Sequence, residues 1–200
     1  MTHIEKPHPA WRNDASAKVT GKAKYTDDLK VLNCLHAVPV YSDYVSARII
    51  SIDTSLAEQQ PGVVKVLTYK DVPGNLQFGQ IIKDYSIFAH DRIRTSGDVI
   101  AVIVAETRQQ AIDAITFVKL EAEELPAVLE AEEALQEGSP LVHESHGSNL
   151  ANYHCVRTGD ISIGEKEAEV IIEQEFTTSR IEHAYMEPES ALCFKRQDGV

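Results

Sequence analysis

His143, His146, His154 and Cys155 crowd one polar stretch of the chain, and imidazole nitrogens and thiolates are the donors from which zinc sites are built. Their spacing fits no zinc pattern, so no metal ligand is assigned. His183 and Glu187 stand four apart, which on a helix would place a ligand or acid–base pair on one face. Pro188 makes a strand or loop the expectation instead, and the pair reads as a structural polar contact. Gly21 and Lys22 lack the upstream glycine and the following Ser or Thr of a phosphate loop. Neither a glycine-rich dinucleotide loop nor a nucleophile elbow is present. Cys34, Cys155 and Cys193 are odd in number and widely spaced, which supports neither a disulfide framework nor a self-contained cluster. Any iron–sulfur centre would sit on another polypeptide. On residue chemistry alone, no catalytic or cofactor-binding residue is assigned.

The best-defined element lies at residues 98–125. Asp98 opens a β-branched, nearly wholly apolar run through Val99, Ile100, Val102, Ile103 and Val104, the pattern of a strand buried on both faces. Thr107 with Gln110 three residues later makes a capping box, and Ala111, Ala114, Ile115 and Val118 repeat at helical spacing. The chain turns extended from Leu120 to Leu125 and stops at Pro126. Strand, helix, strand predicts a βαβ crossover with the helix packed over the sheet, in an α/β or α+β fold.

Elsewhere the signals are shorter. Residues 1–13 carry Pro7 and Pro9 without periodicity and read as an irregular arm. Residues 18–25 alternate around Gly21 and predict a short strand or hairpin. Strands are expected at 35–41, 47–53 and 63–67, with a short helix over 56–60 capped by Thr54 or Ser55 and ended by Pro61 and Gly62. Residues 68–95 read as a long functional or interface loop with a turn at Pro73, Gly74 and Asn75 and a short strand at Ile81 and Ile82. A short acidic helix is expected over 129–138, ended by Gly138, then a connecting segment over 139–164. Strands are expected at 168–179 and 190–195. Asp198 and Gly199 signal a hairpin turn without its return strand, so the chain is expected to be cut inside a second domain by a split gene, a truncated frame or a designed boundary.

The 200 residues carry a net charge of -12 and 43% hydrophobic residues, enough for a real core. That charge argues against nucleic-acid or anionic-membrane partners. Between Leu120 and Val156 there is no Lys or Arg, while Glu121, Glu123, Glu124, Glu130, Glu132, Glu133 and Glu137 fall there, which reads as a solvated face. No apolar run approaches the roughly 20 residues of a membrane helix, and a cytoplasmic location is expected.

In order and spacing these pieces resemble the N-terminal region of the molybdopterin-binding large subunit of the xanthine dehydrogenase and aldehyde oxidase family. The resemblance starts at Arg12, Asp14, Lys18, Val19, Thr20 and Gly21, and at Tyr25, Thr26, Asp27 and Asp28. It continues through Ala47, Arg48, Ile49, Ile52 and Asp53, then Pro61, Gly62, Val63, Val66 and Asp71 to Gly74. Arg94, Gly97, Asp98, Ala101, Val102 and Val104 to Glu106 follow, with Ala111, Ala114 and Glu124 to Pro126. Ala134, Leu135, Gly159, Asp160 and the stretch from His183 to Pro188 complete it. Asp98 stands where many members of that family carry Glu, Gln or another residue, a variation within the family.

The resemblance implies an α+β hammerhead-type domain with βαβ units over 14–128, an acidic helix and linker over 129–147, and the start of an α+β molybdopterin-binding domain over 148–200. It implies a complete enzyme that hydroxylates a purine, another N-heterocycle or an aldehyde with oxygen from water. It further implies a molybdenum–molybdopterin centre in the complete subunit, with [2Fe-2S] clusters and FAD on partner subunits or domains. The family's glycine-rich cofactor loops and catalytic glutamate fall after position 200, so this chain alone is expected to be inactive and to bind no cofactor by itself. The alternative is a self-standing binding or assembly protein that reuses the hammerhead domain.

Overall fold

The structure, a computed structural model, describes residues 12–80, 82–185 and 189–195. Its elements in chain order are α1 (Ala15–Val19), β1 (His36–Tyr41), β2 (Ala47–Asp53), α2 (Ser55–Glu58), β3 (Val63–Leu67), β4 (Gln77–Phe78) and β5 (Tyr85–Ser86). Then come β6 (Arg92–Ile93), β7 (Val99–Ala105), α3 (Arg108–Ala114), β8 (Lys119–Glu124), α4 (Ala131–Ala134) and α5 (Ile161–Glu167). The chain divides into two units, Asn33–Gly159, and Met1–Leu32 with Asp160–Val200.

Within Asn33–Gly159 the strands form sheets of order β1-β7-β3, β6-β2-β8 and β4-β5. β7 is central in the first, which explains its composition: none of its residues is exposed, and Ile103 and Ala105 are fully buried. β1 runs antiparallel to it from His36 opposite Ala105 to Tyr41 opposite Val99. Pro39, which has no N–H to donate, is tolerated in β1 because that strand is an edge. β3 lies antiparallel on the other side, and α3 packs against all three strands. Ala111 and Ala114 are its buried contacts. Their small side chains let the helix lie close to the sheet.

The expected crossover is corrected here. The helix does cover the sheet, but β7 and β8 belong to different sheets, as do β2 and β3, and the pairings among the described residues are antiparallel. The order strand, helix, strand therefore carries the chain from one sheet to another. The α+β class stands. β2 and β8 pair from Ala47 opposite Glu124 to Asp53 opposite Lys119, with a bulge between Ile49 and Ser51. Leu120 and Ala122 turn toward the core while the glutamates of β8 face solvent, which separates sheet packing from the acidic surface by simple alternation.

Two caps join these layers. Thr107 Oγ1 accepts from the Gln110 amide N–H at 3.3 Å, but the hydroxyl donates to the Gln110 side chain at 2.8 Å, so only the forward half of the expected capping box forms. Gly62 explains why Gln110 is drawn there. Its φ of +79° favours glycine, a Cβ on it would meet the Gln110 amide, and its carbonyl accepts from Glu106 N–H at 2.9 Å. At α2, Asp53 Oδ1 rather than Thr54 accepts from the Ser55 N–H. Residues 68–95 are not one loop: they hold the β4-β5 pair and β6. Ile82 lies in a bend, and Ile81 falls outside the described residues.

In the other unit, residues 15–19 are helical where a strand or hairpin was expected over 18–25. Asp14 and Lys18 pair one turn apart at 3.5 Å. Gly21, at φ +68°, then ends the helix, with its N–H on the Lys18 carbonyl and the Lys22 N–H on the Ala17 carbonyl. That is the two-bond glycine stop of a helix, which alternation around a glycine mimics in sequence. α5 occupies part of the expected connector, its first turn held by Asp160 Oδ1 accepting from Ser162 N–H at 2.9 Å. Residues 168–179 and 190–195 form no strand. They have apolar residues but no neighbouring strand among the described residues to take their backbone hydrogen bonds. The hairpin expected at Asp198 and Gly199 lies outside the described residues.

Candidate functional site

β6 is only two residues long, yet Arg92 within it and Arg94 just after it both reach the segment that follows α4. Arg92 and Arg94 flank buried Ile93, and both guanidinium groups come to the same side, toward Glu144. Arg92 pairs with Glu144, and Arg94 donates from Nε to the Val142 carbonyl at 3.2 Å. Arg94 also approaches Asp91 at 3.5 Å and Glu144 at 3.9 Å. Asp98, the first residue of the 98–125 unit, accepts the backbone N–H groups of Arg94 at 2.8 Å and Thr95 at 3.3 Å. The turn before β7 therefore holds the arginines in place.

These charges act on one another. Burial raises the Asp91 carboxyl, but the Arg94 hydrogen bond and charge, with His90 and the Arg92 N–H, together hold Asp91 below the usual aspartate range. Glu144 is lowered first by its own backbone N–H, against partial desolvation, and then by Arg92. His143 is lowered chiefly by burial and next by the Arg94 charge, against the opposing pull of Asp84.

The second feature sits beside this anchor. Asp84, His143 and His146 bring three metal-type donor atoms within 4.8 Å of one another. The histidine Nε2 atoms lie 4.0 and 3.6 Å from the same Asp84 Oδ2, and the two rings meet edge to face. They border a cavity of about 360 Å³ whose walls include Ile82, Val128, Ala134 and Leu150. Asn149 fixes the loop that carries them, accepting from Val142 N–H at 2.9 Å and donating to the carbonyls of Ala134 and Pro140 at 3.0 and 2.9 Å.

Of the four metal-type residues prominent in sequence, the fold brings together His143 and His146 only. His154 is exposed and contacts Asn152, and Cys155 is exposed and accepts from Arg157. His183 is exposed and stacks on Tyr185, while Glu187 falls outside the described residues. Asp84 had no local signal, because it reaches the histidines only through tertiary folding. Arg92 and Arg94 had one, the alternation of two like charges around a single isoleucine.

Comparison with known proteins finds two family profiles along the chain. Residues 20–126 match the family profile described as aldehyde oxidase and xanthine dehydrogenase, a/b hammerhead domain. Residues 142–200 match the profile of a molybdopterin cofactor-binding domain. The chain is 35% identical over 190 residues to the nicotinate dehydrogenase large molybdopterin subunit of Eubacterium barkeri, covering 94% of this chain and 44% of that protein. It is 37% identical over 194 residues to the xanthine dehydrogenase of Oryza sativa subsp. japonica, covering 96% of this chain and 14% of that one. Among solved structures, the aldehyde oxidoreductase of Desulfovibrio desulfuricans superposes with a TM-score of 0.65 at 33% identity, over 71% of this chain and 17% of its own. The chain thus spans less than half the length of these relatives.

Proposed function

This chain belongs to the aldehyde oxidase and xanthine dehydrogenase family, and on that footing we propose that it supplies the hammerhead scaffold and the opening of the cofactor domain of a molybdenum hydroxylase large subunit. The complete enzyme oxidatively hydroxylates a purine, another N-heterocycle or an aldehyde, with water as the oxygen source. Its molybdenum–pterin centre supplies the two-electron oxidation, and [2Fe-2S] and FAD partners carry the electrons away. The hammerhead domain, over 14–128, helps wall the substrate funnel and docks those partners. The linker spans 129–147, and the cofactor domain opens at 148. The cytoplasm is the compartment that this reading implies.

The observation that carries the proposal is the stretch matched to the cofactor domain. A pterin cofactor needs a concave site with converging polar groups, yet among the described residues from 160 to 195 all but Leu192 are exposed. These residues do not fit the cofactor by themselves. Val170, Ile172 and Phe176 stand as apolar side chains awaiting a covering surface, which is what the first segment of a larger domain would offer. Catalytic groups accordingly lie outside these 200 residues. The test is to assay molybdenum and pterin in the purified 200-residue protein expressed in a cofactor-producing host. Neither should copurify in stoichiometric amount; one equivalent of each would overturn the proposal.

A further inference from the structure

Asp84, His143 and His146 form a site that the scaffold role leaves unused. The Nε2–Oδ2 separations of 4.0 and 3.6 Å exceed a hydrogen bond, so the carboxylate is not simply paired with an imidazole. They are instead close to the roughly 3.3 Å that separates two donors bound tetrahedrally at about 2.0–2.1 Å from one zinc ion. Both rings present the same type of nitrogen to one carboxylate oxygen. Contraction of the three donors, which lie within 4.8 Å of one another, would put each in bonding range.

The surroundings favour a cation over a further protein group. Arg94 is engaged with Asp91 and the Val142 carbonyl and approaches Glu144, and Arg92 is paired with Glu144. Among the described residues the Asp84 carboxylate faces the two imidazoles. Asn149 spends both ends of its amide on the loop backbone, so it positions His143 and His146 rather than adding a fourth ligand. His146 is exposed, which leaves the open side to solvent.

We infer that Asp84, His143 and His146 bind one divalent transition-metal ion of the zinc class, with the remaining coordination filled by water, and that the ion fastens the 142–150 loop to the turn before β5. Two imidazoles and a carboxylate are a donor set suited to zinc or cobalt. The test reads the divalent ion directly, so its outcome is distinguishable from that of the proposal above.

The test is a titration of the purified, chelator-treated 200-residue protein with cobalt(II), followed by its visible ligand-field absorption and by competition with zinc. One cobalt per chain is expected, displaced by zinc, with a rise in thermal midpoint on loading. Asp84→Asn and His146→Ala should each weaken binding by at least about tenfold, since even outer-shell partners of a metal cost that much. His154→Ala and Cys155→Ala should leave it unchanged. His146 is exposed, so its removal leaves the fold intact, as far-UV circular dichroism would verify. Absence of a saturable site, wild-type affinity in Asp84→Asn and His146→Ala, or loss on replacing His154 or Cys155 would each overturn the inference.

Discussion

β7 and residues 168–179 have related apolar patterns and opposite fates. β7 lies between β1 and β3 under α3, paired with β1 from Val99 to Ala105 and with β3 from Val102 to Ala105, and none of its residues is exposed. Residues 168–179 carry Val170, Ile172 and Phe176, each at least three-quarters exposed, and have no ladder among the described residues. An apolar β pattern thus identifies a strand's appetite for a partner, and the partner decides whether the strand exists. Sequence signals for hydrophobicity and for pairing are separate quantities.

The contrast is sharpest at two isoleucines. Ile103→Ala, in the centre of β7, should cost about 2–5 kcal/mol of stability because the sheet and helix around it cannot collapse into the void. Ile172→Ala should stay within about 0.5 kcal/mol. Urea unfolding of both variants in the full chain tests the pair, and equal losses would break the comparison. A smaller effect, of about 1–2 kcal/mol, is expected for Gly62→Ala, which forces a side chain into left-handed backbone and pushes on Gln110; the same unfolding assay measures it. Smaller still is the contribution of Asp91. Its carboxyl is depressed in the folded state, so its stabilisation is complete above the ordinary aspartate value of about 4 and is lost as pH falls below that toward the folded value. Asp91→Asn should therefore flatten the acid limb of the stability profile below about pH 4 and leave the neutral region nearly parallel to wild type.

Much of the Asn33–Gly159 fold was legible. The β-branched runs mark β2 and β3 at their observed ends: β2 stops at Asp53, whose carboxylate accepts from the Ser55 N–H at the start of α2, and β3 starts after Pro61 and Gly62. Sheet membership was not legible, since strand, helix, strand reads the same whether the second strand returns to its sheet or enters another. α1 was hidden because Gly21, which stops the helix, also punctuates an alternating pattern. The acidic face was read from charge alone and lies on solvent, with Leu120 and Ala122 of β8 turned inward. Of the candidate metal site, the histidines were visible and Asp84 was not. Proximity created by tertiary folding leaves no mark in local spacing.

Backbone hydrogen exchange on the isolated 200-residue protein tests most directly the claim that Asn33–Gly159 is a finished scaffold while residues 168–179 await a covering surface. Amides of β7 should exchange only through near-global unfolding, and those of 168–179 should exchange at almost the rate of free peptide. Protection at 168–179 comparable with that of β7 would contradict the account.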